Sequence, residues 1–101
     1  MVSIEAFLRD VTAVRGLSGD EGPVAERLAE YFRPLCDEVT VDAMQNMTAR
    51  LGSRGPRVMI AAHLDEIGLM ATAIEDDGAI RFGSIGGVDP RILPASRVTV
   101  Y

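Results

Sequence analysis

Apolar residues recur at helical spacing in two segments near the start of the chain. The first lies behind Ser3, a candidate N-cap, and carries its apolar face on Ile4, Phe7, Leu8, Val11 and Val14. A second helix is predicted to begin near Ser18, because Glu21 follows at the spacing of a capping box, with Asp20 as a rival cap. Pro34 marks the end of this helix. Both helices are amphipathic, so each needs a surface to pack against.

From Glu38 onward the pattern changes to a period of two. Val39 and Val41 alternate with polar residues, and residues 47–51 are predicted to form a second short strand. Residues 58–62 then form a continuous apolar run that is too short for a helix and lacks alternation. Such a run is typical of a strand that is buried on both faces in the centre of an α/β sheet.

Beyond Gly68 the pattern predicts β structure of another kind. Residues 69–74 and 79–82 are joined by an Asp-Asp-Gly turn, which indicates a β-hairpin. A last strand is predicted over residues 97–101, and it stops in mid-pattern, so we expect the chain to be part of a longer protein. The sequence therefore predicts an α/β piece followed by the beginning of a β-rich piece, with the boundary near Gly68 to Met70.

Composition narrows the possible function classes. The chain has 101 residues, of which 48% are hydrophobic and 25% charged, as expected of an ordinary globular domain. Its formal net charge is −5, and its ten basic residues are all arginines that are scattered singly. This distribution argues against a nucleic-acid or anionic membrane surface. No apolar run is long enough for a signal peptide or a membrane span, so we expect a cytoplasmic protein.

The candidate chemistry lies directly after the apolar run, at His63, Asp65 and Glu66. Residues two apart on an extended chain share a face, so His63 and Asp65 can act together. Imidazole is a common ligand of divalent transition metals, and a carboxylate can fix its tautomer by accepting the other ring N–H. A hydrogen-bonded core histidine followed by a loop fits the same spacing. One histidine cannot form a metal site, so spacing alone leaves both interpretations open.

A resemblance to a known family favours the metal interpretation. The run Ala61-Ala62-His63-Leu64-Asp65-Glu66-Ile67-Gly68-Leu69-Met70 resembles the signature of the M42 metallo-aminopeptidases, the glutamyl and deblocking aminopeptidase family, some of whose members have been labelled endoglucanases. Three further stretches agree in order and spacing: residues 16–21, Asp42 with Asn46, and residues 85–93. Gln45 departs from the pattern, since the family usually has glycine there, and Ala95-Ser96 replaces a usual Gly-Gln.

The resemblance implies an enzyme that removes N-terminal residues from peptides by a two-metal mechanism. His63 would be a metal ligand, and Asp65 would be the catalytic aspartate that supports this histidine and the metal centre. The family's general base and remaining ligands come from later segments, so Glu66 is not assigned as the base. The implied cofactors are two divalent ions, zinc or cobalt, although manganese also suits such ligands.

The resemblance also implies an architecture and a set of partners. Residues 1–69 would belong to the α/β catalytic domain, and residues 70–101 would begin an inserted β-rich assembly domain. The partners would be peptide substrates and copies of the same chain, in dimer-based dodecamers. We expect the isolated chain to bind metal weakly and to be inactive. The alternatives are a non-catalytic assembly module that keeps the family's first motif, or a carbohydrate-active enzyme, against which the absence of tryptophan argues.

Overall fold

A computed structural model describes residues 3–101. The chain divides into two compact units, of which the first ends at Glu66 and the second runs from Ile67 to Tyr101. The mixture of helices and strands confirms the predicted α/β class. The assignment of residues 1–69 and 70–101 to a catalytic and an inserted domain stays a prediction. Within residues 3–101, no helix has the length and apolar character needed to cross a membrane.

Two helices and one hairpin make up the first unit, namely α1 (Ile4–Val11), α2 (Gly22–Phe32), β1 (Glu38–Val41) and β2 (Met47–Arg50). The Ser3 side chain accepts a hydrogen bond from the Ala6 amide at 3.1 Å, which confirms the predicted cap of α1. The buried apolar residues among those described are Val24, Ala25 and Ala29, all on α2. This helix is therefore the centre of the unit, and it packs against α1 and both strands of the hairpin.

The two helices meet through one aromatic contact and one polar cluster. Phe7 packs edge-on against Tyr31 with ring centroids 5.0 Å apart. The Asp10 carboxylate accepts hydrogen bonds from Arg27 Nε and from the Tyr31 hydroxyl, both at 2.7 Å. These two donors hold the pKa of Asp10 below its usual value, the arginine having the larger effect.

The predicted capping box at the start of α2 is wrong. The helix begins at Gly22, and Glu21 occupies the cap position without a side-chain cap hydrogen bond. The Ser18 hydroxyl instead donates to the carboxylate of Asp65, an ionised acceptor that is stronger than the neutral groups of a capping box. The Gly22 amide donates to the side-chain oxygen of Gln45, which supplies the cap from a distant part of the chain.

The β1–β2 hairpin keeps its turn although Gln45 replaces the usual glycine. Asp42 Oδ1 accepts hydrogen bonds from the amides of Met44 at 2.8 Å and Asn46 at 2.9 Å, which closes the turn. Gln45 lies in the left-handed region with φ 66°, where glycine is the residue without steric cost. The departure in sequence therefore leaves the turn intact at the cost of backbone strain.

The apolar run at residues 58–62 does not form the predicted buried strand. Val58, Met59 and Ile60 are 86%, 88% and 94% exposed, and the run lies outside every strand of residues 3–101. A strand acquires its hydrogen bonds and its burial from neighbouring strands, and no strand of residues 3–101 pairs with this run. The strand predicted over residues 97–101 is wrong for the same reason, with Val98 and Val100 mostly exposed.

The second unit contains the predicted hairpin. Its strands β3 (Gly68–Ile74) and β4 (Ile80–Ile85) pair antiparallel, with a shift in register between Ala71 and Ala73. Gly78 in the connecting turn has φ 86°, which explains the glycine at that position. A short 3-10 helix at Pro90–Ile92 follows the hairpin.

Candidate metal-binding segment

The segment that carries His63 is fastened to the loop between α1 and α2. Leu17 and Glu66 form an isolated parallel bridge, in which the Glu66 amide donates to the Gly16 carbonyl at 2.7 Å. The Gly16 amide in turn donates to Glu66 Oε1 at 3.2 Å. A Cβ on Gly16 would lie 2.8 Å from a methyl group of Val24, so only glycine permits this approach. The Glu66 carboxylate thus holds the segment in place.

The structure brings His63 and Asp65 together, as their spacing predicts. His63 Nδ1 lies 3.1 Å from Asp65 Oδ1 and 3.1 Å from the Asp65 carbonyl oxygen. Both neighbours are acceptors, so the hydrogen-bond network assigns the ring proton of a neutral His63 to Nδ1. The lone pair then lies on Nε2. Since the His63 side chain is 85% exposed, this nitrogen is accessible to a ligand.

The second carboxylate oxygen of Asp65 is occupied by Ser18. The Ser18 hydroxyl donates to Asp65 Oδ2 at 2.6 Å, while Oδ1 faces the imidazole. The hydrogen bond from Ser18 is the main cause that holds the pKa of Asp65 below its usual value, and His63 lowers it further. Asp65 is therefore ionised at neutral pH and acts as an acceptor on both sides.

An open groove of about 580 Å³ lies beside this pair. Apolar side chains of the two helices and the end of the exposed run are among the residues that line the groove. Its lining residues include Phe7, Leu28, Phe32, Met47, Ile60 and Leu64. Glu21, Gln45, Asn46, His63 and Asp65 supply polar lining, so the groove combines apolar surface with one candidate ligand, His63.

His63 fits a role as a single metal ligand but not as a complete site. Its tautomer leaves Nε2 available, and an aspartate on Nδ1 is the usual supporting partner of a metal-bound imidazole. Over residues 3–101, however, no group of three or more His, Cys, Asp or Glu side chains could hold a metal ion. A closed coordination sphere needs ligands beyond those of this segment.

Sequence reasoning missed two residues at this site, Ser18 and Gln45. The sequence predicts a helix cap at Ser18, but the Ser18 hydroxyl donates to Asp65. The sequence marks Gln45 only as a departure from glycine, yet its side-chain oxygen accepts from the Gly22 amide. Both act across more than 20 residues of sequence, so neither local spacing nor periodicity could have found their partners.

The sequence of the chain is similar to those of known proteins. The model of the M42 glutamyl aminopeptidase family matches residues 45–101. The chain is 37% identical to the lysyl aminopeptidase of Pyrococcus furiosus over 94% of this chain and 28% of that protein. It is 31% identical to the glutamyl aminopeptidase of Lactococcus lactis over 93% of this chain and 27% of that protein. The chain thus spans about a quarter of the length of these relatives.

Solved structures give the same result for the fold. An endoglucanase of Thermotoga maritima matches with a TM-score of 0.77 at 36% identity, over 85% of this chain and 28% of that chain. A TET aminopeptidase from a marine-sediment Thaumarchaeota archaeon matches with a TM-score of 0.74 at 32% identity, over 82% and 24%. The family model covers more than half of the chain, and the identities exceed 30% over most of it. The chain belongs to the M42 glutamyl aminopeptidase family.

Proposed function

We propose that this chain is the N-terminal part of a two-metal aminopeptidase that removes N-terminal residues from peptides. The observation that carries the proposal is the pairing of His63 Nδ1 with Asp65, which leaves Nε2 as a free ligand beside an open groove. Membership of a family whose relatives are named lysyl and glutamyl aminopeptidases supports the substrate class.

The roles of the two residues follow from their chemistry. When bound, a pair of divalent ions, zinc or cobalt, supplies a water of lowered pKa and polarises the scissile carbonyl. His63 would hold one ion through Nε2, and Asp65 would keep the Nδ1 proton in place and orient the ring. We do not assign Glu66 as the general base, since its carboxylate accepts from the Gly16 amide and has a structural role. The other ligands and the general base lie outside residues 3–101.

The proposal extends to the complete protein, of which this chain is about a quarter by the length of its relatives. We propose that the complete protein is cytoplasmic and assembles as a homo-oligomer through its β-rich domain. Size-exclusion chromatography with light scattering tests the assembly. The isolated chain is proposed to be inactive, since it supplies one histidine ligand and the described part, residues 3–101, holds no cluster of three or more possible ligands.

The function is tested on the complete protein loaded with zinc or cobalt. We expect release of N-terminal residues from peptides, no cleavage of cellulose, and loss of turnover by at least roughly 100-fold in His63→Ala, because a ligand of the reacting centre is removed. Ser96→Ala is the matched control, since it removes a hydroxyl that donates only to the Ile92 carbonyl. Cleavage of cellulose would instead support a carbohydrate-active enzyme. Full peptidase activity in His63→Ala would contradict the assignment of the ligand.

A non-catalytic assembly module is the second candidate, favoured by the lack of a complete ligand set within residues 3–101. The same experiment separates the two, because such a module would show neither peptide nor cellulose turnover in any metal-loaded form.

A further inference from the structure

We propose that Ser18 is a positioning residue of the metal centre, which fixes the Asp65 carboxylate and, through it, the ring of His63. The inference rests on the proposed function. Its basis is a continuous chain of two hydrogen bonds. Ser18 Oγ donates to Asp65 Oδ2 at 2.6 Å, and Asp65 Oδ1 accepts from His63 Nδ1 at 3.1 Å.

The carboxylate of Asp65 can orient the imidazole only if its own plane is fixed. Rotation about the terminal torsion of an aspartate is soft, so one hydrogen bond leaves the plane free to turn. The donor on Oδ2 removes this freedom, because both oxygens are then engaged at once. The Ser18–Asp65 bond is the shorter of the two and joins a hydroxyl to an ionised carboxylate, so it dominates the orientation.

Ser18 lies in a turn that is held by several hydrogen bonds. The Asp20 amide donates to the Leu17 carbonyl at 2.7 Å, and Gly19 adopts φ 90°. The Gly19 amide donates to Glu21 Oε1 at 2.8 Å, and its carbonyl accepts from Gln45 Nε2 at 3.3 Å. The backbone that carries the Ser18 hydroxyl is thus held by hydrogen bonds.

A purely structural role, in which Ser18 only ties the loop to the segment, is already filled by other contacts. Glu66 and Gly16 are joined by two hydrogen bonds, one from each backbone amide, within the bridge between Leu17 and Glu66. The loop therefore remains attached without Ser18. Ser18 adds a hydrogen bond to Asp65, the carboxylate that contacts His63. This contact indicates that Ser18 positions the metal ligand rather than holding the loop.

The test uses the complete protein and three variants at position 18. In Ser18→Ala we expect the dissociation constant of the His63 metal to rise about tenfold, the range found for outer-shell partners of metal ligands. The visible absorption of bound Co²⁺ should shift, because the ring is no longer held in one orientation. The turnover number should fall with little change in KM. Ser18→Thr keeps the hydroxyl and should restore both metal affinity and spectrum.

Two comparisons make the result decisive. Ser96→Ala should leave the metal affinity and the Co²⁺ spectrum unchanged, since its hydroxyl donates to the Ile92 carbonyl in the second unit. If Ser18→Ala does not fold, Ser18→Cys replaces it, because a thiol fills the same space but is a weak donor, and the same changes are expected.

The inference is overturned if the folded Ser18→Ala or Ser18→Cys protein has wild-type metal affinity and an unchanged Co²⁺ spectrum, even with a lower melting temperature. His63→Ala distinguishes this from failure of the proposed function. If His63→Ala leaves metal binding intact, the ligand assignment fails. If it abolishes binding at that site while Ser18→Ala does not alter it, only the role of Ser18 fails.

Discussion

Gln45 has a strained backbone, and its side chain caps the start of α2. Its φ of 66° lies in the region that costs a residue with a Cβ about 1–2 kcal/mol. Its side-chain oxygen accepts from the Gly22 amide at the start of α2, and loss of a helix cap costs about 1 kcal/mol. The two contributions are similar in size and opposite in sign. A glycine at this position would remove both the backbone strain and the helix cap. The turn is therefore compatible with either residue.

Three proteins separate these contributions at position 45. Gln45→Ala keeps the strain and loses the cap, so it should unfold more easily than the wild type by about 1 kcal/mol. Gln45→Gly loses both and should lie within about 0.5 kcal/mol of the wild type, after the entropy of glycine is counted. Denaturant unfolding of the complete protein measures the difference. Ala95→Gly, at a position with φ 60° and no cap, is the control for strain alone and should stabilise. An alanine variant as stable as the glycine variant would show that the left-handed turn is not kept.

At the scale of elements, the contact between α1 and α2 depends on an ionised carboxylate. Asp10 accepts from Arg27 Nε and from the Tyr31 hydroxyl, and the pKa of Asp10 is lowered mainly by the arginine. The arginine guanidinium also lies over the Tyr31 ring, 5.5 Å from its centroid. One charged group of α1 is thus recognised by two side chains of α2.

Because this contact needs an ionised Asp10, the packing of α1 against α2 is sensitive to acid. A carboxyl whose pKa is lower in the folded than in the unfolded protein binds its proton less readily when folded. Its stabilisation is complete above the unfolded value of about 3.9 and is lost as the pH falls through the folded value. We expect Asp10→Asn to lower stability at pH 7, and the difference from wild type to shrink below about pH 4. Denaturant unfolding at several pH values measures it.

The matched control is Glu5→Gln on the same helix. Its partner Arg9 is exposed, with side chains 82% and 79% accessible, so the ion pair contributes little in water. We expect almost no change in stability at either pH. If Asp10→Asn and Glu5→Gln behaved alike, the Asp10 cluster would not hold the helices together in solution.

The elements that could be predicted from the sequence are those with local causes. The cap of Ser3 and the two hairpins rest on residues less than about 15 apart, and periodicity or turn chemistry specifies them. The buried strand predicted over residues 58–62 is wrong, because a strand needs neighbours to pair with and no strand of residues 3–101 pairs with this run. The capping box predicted at Ser18 is wrong, because a serine at this spacing can equally donate to a distant carboxylate, here that of Asp65.

At the scale of the molecule, the exposed run is the clearest sign that this chain depends on more than its own residues. Val58, Met59 and Ile60 are consecutive apolar side chains, each more than 85% exposed. They lead into His63, so the chain before the candidate ligand lacks packing, and the contacts that hold the segment come from Asp65 and Glu66 after it. A ligand whose segment is packed on one side only loses affinity, because metal binding must then also order the other side.

The isolated chain is therefore expected to bind zinc or cobalt weakly and to show no peptidase activity. Only one histidine and its aspartate are available, and a stable site needs further ligands. Calorimetric titration with either metal, beside a peptide-release assay, measures both properties. His63→Ala should abolish the weak binding, and the complete protein under the same conditions should bind two ions and turn over peptide. Tight binding of two ions by the isolated chain, together with turnover, would mean that the catalytic centre lies within these residues.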